Sequence, residues 1–149
     1  MTKTLKVYKD GAVVASKDGS GKTSVTVSGL EANTSYPAGT FKVAWEENGK
    51  ESSKVDVPAF QTKSILVTGL SFVPDIKTIS NGTTDSVEPN IAPSTATDKS
   101  LAYTSDNPDV ISVDESSGAI TAKSVGTAVI TAKSKDGSDK SATITVTVE

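Results

Sequence analysis

The chain contains no cysteine and no histidine, and all fifteen of its cationic side chains are lysines. Without cysteine there is no disulfide framework and no thiolate metal site. Without histidine it lacks the commonest general base and the commonest transition-metal ligand, which lowers the prior for an enzyme. Without arginine it has none of the planar, bidentate donors that nucleic-acid binders use on phosphates and bases. The formal net charge is −3 and no basic stripe is present, so no DNA or RNA partner is expected. No apolar run is long enough to span a bilayer, and no charged-then-apolar leader follows Met1. Membrane insertion is therefore not expected, and synthesis and release in a cytoplasm are.

Sustained apolar repeats at helical spacing are also missing. What fills the chain is Ser, Thr, Val, Gly and Asp in short alternating runs. Only 35% of the residues are hydrophobic and 5% aromatic, which suits small cores under much solvent-facing strand surface. The class expected is all-β.

The runs fall into two groups. In the first, "TLKVYK" (4–9) and "AVVAS" (12–16) flank Asp10-Gly11, a strong two-residue hairpin signal. "TSVTVSGL" (23–30) alternates through Val25 and Val27. "TFKVAWEE" (40–47) places Phe41, Val43 and Trp45 on one face, and Asn48-Gly49 turns it into "ESSKVDVPAF" (51–60). Pro58 cannot donate to a ladder and marks an end or an edge. The boundary falls within "AFQTKSILVTGLSF", giving domains 1–64 and 65–149. In the second group, "SILVTGLSF" and "IKTIS" precede a polar stretch, 81–100, that reads as either a long loop or two irregular edge strands. Regular strands then follow at 101–105, 110–114, 119–124, 127–134 and 141–149. The breaks between them carry turn chemistry. Evenly spaced strands of this kind indicate a sandwich or a barrel, with one small core in each half.

Candidate sites are few. Asp106, Asp109 and Asp114, with Glu115, supply the hard oxygen ligands that calcium prefers. They lack the spacing of a calcium loop, however, and sit where Asp favours turns, so no metal and no cofactor is expected. Trp45 shares its strand face with Phe41 and Val43, which assigns it to the core; the other reading is a platform for a sugar ring. Asp18-Gly19 and Asp136-Gly137 are either plain hairpin tips or loop tips that touch a partner. Glu46, Glu47 and Glu51 surround a hairpin as exposed, mutually repelling carboxylates with no cleft implied. No catalytic residues are assigned. The expected structural core comprises Tyr36, Phe41, Val43, Trp45, Tyr103, Val110, Val113, Ile120 and Ile130.

Residues 96–149 resemble the bacterial immunoglobulin-like group 2 family. The matching positions include Pro93, Ala96, Thr97, Lys99, Tyr103, Ser105, Asn107, Val110, Val113, "GAITA" from Gly118 and "GTAVITA" from Gly126. Tyr103 stands where that family usually has Trp, and residues 65–95 fit more loosely. The first half resembles a fibronectin type III-like module, and the two resemblances together imply two small immunoglobulin-like β-sandwiches in tandem. Its "LEANTSY" (30–36) is similar to the stretch at that family's tyrosine corner, where the phenol bonds back to local backbone. Paired modules of this kind resemble accessory virion proteins of tailed bacteriophages. That resemblance implies a non-enzymatic component located on the virion, decorating a head or tail. It also implies phage capsid or tail proteins as partners, a host cell-surface glycan as a weak ligand, and homo-oligomerisation on a symmetric particle. The first half is the expected docking module and the second the displayed one. A fragment of a bacterial cell-surface adhesin, stalk or carbohydrate-binding module is the alternative.

Overall fold

The computed structural model describes residues 3–19 and 23–149. The chain divides into two compact units, Met1–Lys63 and Ser64–Glu149, and every regular element among the described residues is a strand.

In the first unit, β1 (Lys3–Lys9) lies between β2 (Ala12–Asp18) and β4 (Phe41–Glu47), antiparallel to both. Asp10 and Gly11 have φ of 51° and 82°, and Asn48 and Gly49 have 51° and 73°. Positive φ at both central residues is the turn whose twist matches that of the flanking strands. Along β2 the register slips between Val7 and Tyr8, so that Val14 is an extra residue opposite neither, which is a β-bulge.

The run expected at 51–60 is broken into three short pieces. β5 (Lys50–Glu51) and β6 (Val55–Asp56) each pair with β4, whereas β7 (Phe60–Gln61) pairs with β3 (Ser35–Tyr36). Two residues explain the breaks. The Ser52 hydroxyl accepts the Trp45 backbone N–H at 3.0 Å, taking the place of a ladder bond. Pro58 lies between β6 and β7 and has no N–H to donate.

The strand expected at 23–30 does not form a ladder among the described residues. Its alternation is nevertheless real, because Val25, Val27 and Leu30 are half-buried against the buried cluster of Val7, Tyr36 and Phe41. Alternation reports which side chains face apolar neighbours; ladder bonding needs a partner edge as well, and this segment covers the cluster without one.

The second unit is a sandwich. One sheet runs β12 (Leu101–Ser105), β15 (Gly126–Ser134), β16 (Ser141–Val148), β9 (Ile76–Ile79), with β9 parallel to β16 and the other pairings antiparallel. Opposite it lie the sheet β10 (Thr84–Ser86), β14 (Ala119–Ala122), β13 (Ile111–Val113) and the pair β11 (Asn90–Ala92) and β8 (Gly69–Ser71). The polar stretch 81–100 therefore holds two short strands, β10 and β11.

Period-two alternation fills this core. β15 turns Ala128, Ile130 and Ala132 inward, β16 contributes Ile144, Val146 and Val148, and the facing sheet supplies Ile111, Ile120 and Ala122. Ile111, Ile120 and Ile130 are fully enclosed. Such interdigitation of two inner faces is what holds sandwiches together. The first unit has far less of it, with three buried residues in its cluster against fourteen.

Candidate functional site

The carboxylates of Asp106 and Asp114 at the turns of the second unit are engaged by backbone N–H groups. Asp106 accepts the Val129 N–H at 2.7 Å. Asp114 accepts the N–H groups of Ser116 and Ser117 at 3.1 and 2.8 Å and the Ser117 hydroxyl at 2.8 Å, and these bonds hold its carboxyl below the usual range. The Asp109 carbonyl takes the Ser124 hydroxyl at 2.9 Å. Among the described residues no three acidic side chains converge in a way that could hold a metal ion.

Asp136 does more than close a hairpin. It reaches across to the start of the unit and accepts the Val67 N–H at 2.5 Å. It also takes the Ser138 N–H at 2.9 Å, and the buried Ser134 hydroxyl bonds that of Ser138 at 2.8 Å. Val67 is itself buried, so Asp136 satisfies a donor that would otherwise lose its water. These bonds, the Ser138 side chain first and the Val67 amide second, lower the Asp136 pKa to about 2. A depressed carboxyl pKa stabilises the fold fully above the unfolded value of about 3.9 and loses that contribution as pH falls through the folded value. The second unit is expected to weaken between about pH 4 and pH 2. In Asp136→Asn part of that pH dependence should vanish. A carboxyl NMR titration giving Asp136 an ordinary midpoint would contradict the assignment.

Asp18-Gly19, the other loop tip, also folds back. Asp18 accepts the Thr4 hydroxyl at 2.5 Å, and the Gly19 N–H bonds the Lys3 carbonyl at 2.8 Å.

The sheet of the first unit corrects the sequence reading of its glutamates. Glu46 pairs with Lys6 and Glu47 with Lys3 at 3.3 Å, while Glu51 takes the Tyr8 hydroxyl and pairs with Lys54 at 3.4 Å. The Lys54 ammonium sits 4.1 Å from the centre of the Tyr8 ring. These carboxylates do not repel one another unscreened; each has a cation from a neighbouring strand or the same edge. The Tyr8 hydrogen bond lowers the Glu51 pKa and, reciprocally, raises that of Tyr8. Sequence alternation could place Lys6 and Tyr8 on the same face, but only the β1–β4 register sets them beside Glu46 and Glu51.

The core residues separate by depth. Tyr36, Phe41, Tyr103, Ile120 and Ile130 are buried, and Val43, Val110 and Val113 are half-buried against the two clusters. Tyr36 packs edge-on to Phe41 at 5.5 Å and stacks on Phe60 at 5.2 Å. Its hydroxyl makes no hydrogen bond among the described residues. The corner is tied instead by Thr62, whose hydroxyl accepts the Thr34 N–H at 2.9 Å and donates to the Glu31 carbonyl at 2.6 Å. Burial raises the Tyr103 pKa. Trp45 departs from the core assignment: it is half-buried and stands outside both clusters. It lines a shallow depression with Lys3, Glu47, Asn48, Lys50 and Ser52.

The family model for the bacterial Ig-like domain (group 2) matches residues 66–146, more than half of the chain. The chain belongs to that family. The Ig-like domain it defines is the second unit, and the matched span runs from the segment anchored by Asp136 to the last core strand. An "Ig-like virion protein" of Serratia phage KSP90 is 37% identical over 73 residues, 49% of this chain and 28% of that protein. An uncharacterized protein of Clostridium acetobutylicum is 40% identical over 93 residues, 62% of this chain and 22% of its own length. The matched segments thus span about a quarter of these curated relatives. Among solved structures, domains 4 and 5 of the S-layer protein SbsC superpose with a TM-score of 0.52 at 16% identity, covering 97% of this chain and 96% of that one. At that identity the likeness concerns the fold alone.

Proposed function

We propose that this Ig-like protein is a non-enzymatic structural component of a tailed-bacteriophage virion, decorating the head or tail surface. The observation that carries the reading is the 37% identity over 73 residues between this chain and the Ig-like virion protein of Serratia phage KSP90. Three further features support it. Asp106 and Asp114 of the Ig-like domain bond backbone N–H groups, Glu46, Glu47 and Glu51 of the first unit pair with lysines, and an all-lysine, net-acidic chain is ill-suited to nucleic acid. The first unit docks on capsid or tail proteins, and the Ig-like domain projects toward the host surface, where it aids weak attachment to glycan. Repetition of the chain around a symmetric particle turns weak contacts into retention through avidity.

A second reading, a module of a longer bacterial surface protein, is favoured by the Clostridium relative, of which the matched segment is 22%.

The test is co-sedimentation of the purified full chain with particles of the phage that encodes it. Retention is expected, and it should survive deletion of residues 65–149. Loss on that deletion would move docking to the Ig-like domain, and no retention of the full chain would leave the surface-protein reading standing.

A further inference from the structure

We propose that the depression around Trp45 is a binding site for one ring of a neutral saccharide. The inference goes beyond the proposed function, which gives glycan contact to the Ig-like domain: this site lies on the first unit and rests on the geometry that follows.

Trp45 lies near the end of β4, paired with Leu5, beyond the reach of the residues that cover Val7, Tyr36 and Phe41. Its backbone is held to Ser52 by both of its polar groups, the N–H on the Ser52 hydroxyl at 3.0 Å and the carbonyl on the Ser52 N–H at 2.8 Å. The ring is thus mounted on a rigid strand, which suits a binding platform better than a loop does. Among the described residues no hydrogen bond engages its indole N–H, and no buried side-chain polar atom lacks a partner. That N–H therefore opens to solvent. The depression measures about 470 Å³, within the range of small-ligand sites.

The rim selects the class of ligand. Lys3 and Lys50 supply ammonium donors and Glu47 a carboxylate, while the Ser52 hydroxyl is already engaged, accepting the Trp45 N–H and donating to the Ser53 carbonyl at 3.1 Å. A purely apolar ligand would leave these groups without compensation. An anion would meet Glu47, and a cation would meet two lysines. A pyranose ring has an apolar C–H face to lay on the indole and an equator of hydroxyls that both donate and accept. The Lys3–Glu47 pair, at 3.3 Å with both side chains substantially exposed, is weakly held and opens readily to hydroxyl groups.

Trp45 is the single tryptophan of the chain, so its fluorescence reads the site directly. The full chain would be titrated with maltotriose, chitotriose and lactose. At least one is expected to change the Trp45 emission saturably, with Kd of about 1 mM, as befits a single shallow subsite. Glu47→Gln keeps the strand and the ring, and should weaken that sugar about tenfold. Trp45→Phe, followed by calorimetry, should abolish binding while its circular dichroism stays that of a folded chain. The absence of a saturable change with all three sugars would overturn the site. Binding whose affinity is the same in both variants would overturn it equally. The Trp45→Phe chain is also sedimented with the particles, and loss of sugar binding in a variant that is still retained separates this site from the virion reading.

Discussion

Replacing Gly118 by Ala is expected to lower the stability of the Ig-like domain by about 2–5 kcal/mol, through backbone strain and overpacking together. Gly118 has φ of +71°, and a Cβ placed there would lie 2.5 Å from the Val87 carbonyl oxygen and 2.9 Å from Cζ of the Tyr103 ring. Neither neighbour can retreat cheaply. The Val87 N–H bonds the Gly118 carbonyl at 3.0 Å, and the Tyr103 N–H is tied to Glu115 at 2.9 Å. The glycine that opens "GAITA" is therefore required by the closeness of backbone and ring as well as by its φ. Gly137→Ala is the comparison, because Gly137 also has positive φ, +85°, but meets nothing within 4 Å. It should cost only the strain, about 1–2 kcal/mol. Thermal unfolding followed by tyrosine near-ultraviolet circular dichroism measures both. Equal losses in the two variants would show that the close approach at Gly118 has no energetic consequence.

Phe41→Ala should unfold the first unit while leaving the Ig-like domain intact. Phe41 is buried, contacts Tyr36 and Phe60 at 5.5 and 5.8 Å between ring centres, and carries the Lys9 ammonium 5.8 Å from its own ring centre. Truncating a buried Phe costs about 3–5 kcal/mol. A unit of this size holds little more than that in total, because its surface is large relative to its core. Trp45 lies in this unit and the chain has no other tryptophan, so its emission follows the transition separately. The midpoint should fall by about 12 °C or more, with the methyl resonances of Ile120 and Ile130 unchanged. A first unit that keeps its midpoint would mean that the aromatic trio is not its centre of stability.

These two variants also bear on how the domains divide their work. The Ig-like domain has a deep, interdigitated core and an Asp136 clamp on its first segment, so it tolerates exposure on a surface. The first unit, with few buried side chains, gains most from a partner that covers it.

Much of this architecture is written in the sequence by itself. Asp10-Gly11 and Asn48-Gly49 specify hairpins because few other residue pairs accept left-handed geometry twice in a row. The strands from Leu101 to Val148 specify the sandwich because period two leaves only one set of residues to bury. The family pattern around "GAITA" and "GTAVITA" rests on the same local rules. Tertiary structure decided what depends on a neighbour distant in the chain. The alternating segment 23–30 has the pattern of a strand but forms no ladder among the described residues. Glu46, Glu47 and Glu51 look self-repelling until the β1–β4 register brings Lys3, Lys6 and Tyr8 beside them. Asp136 reads as a turn residue, and only the fold brings the Val67 amide within its reach. Trp45 shares its strand face with Phe41 and Val43, yet the covering layer ends before it. Periodicity fixes the direction in which a side chain points; how far the opposing layer extends is set by packing between segments that the local pattern does not encode.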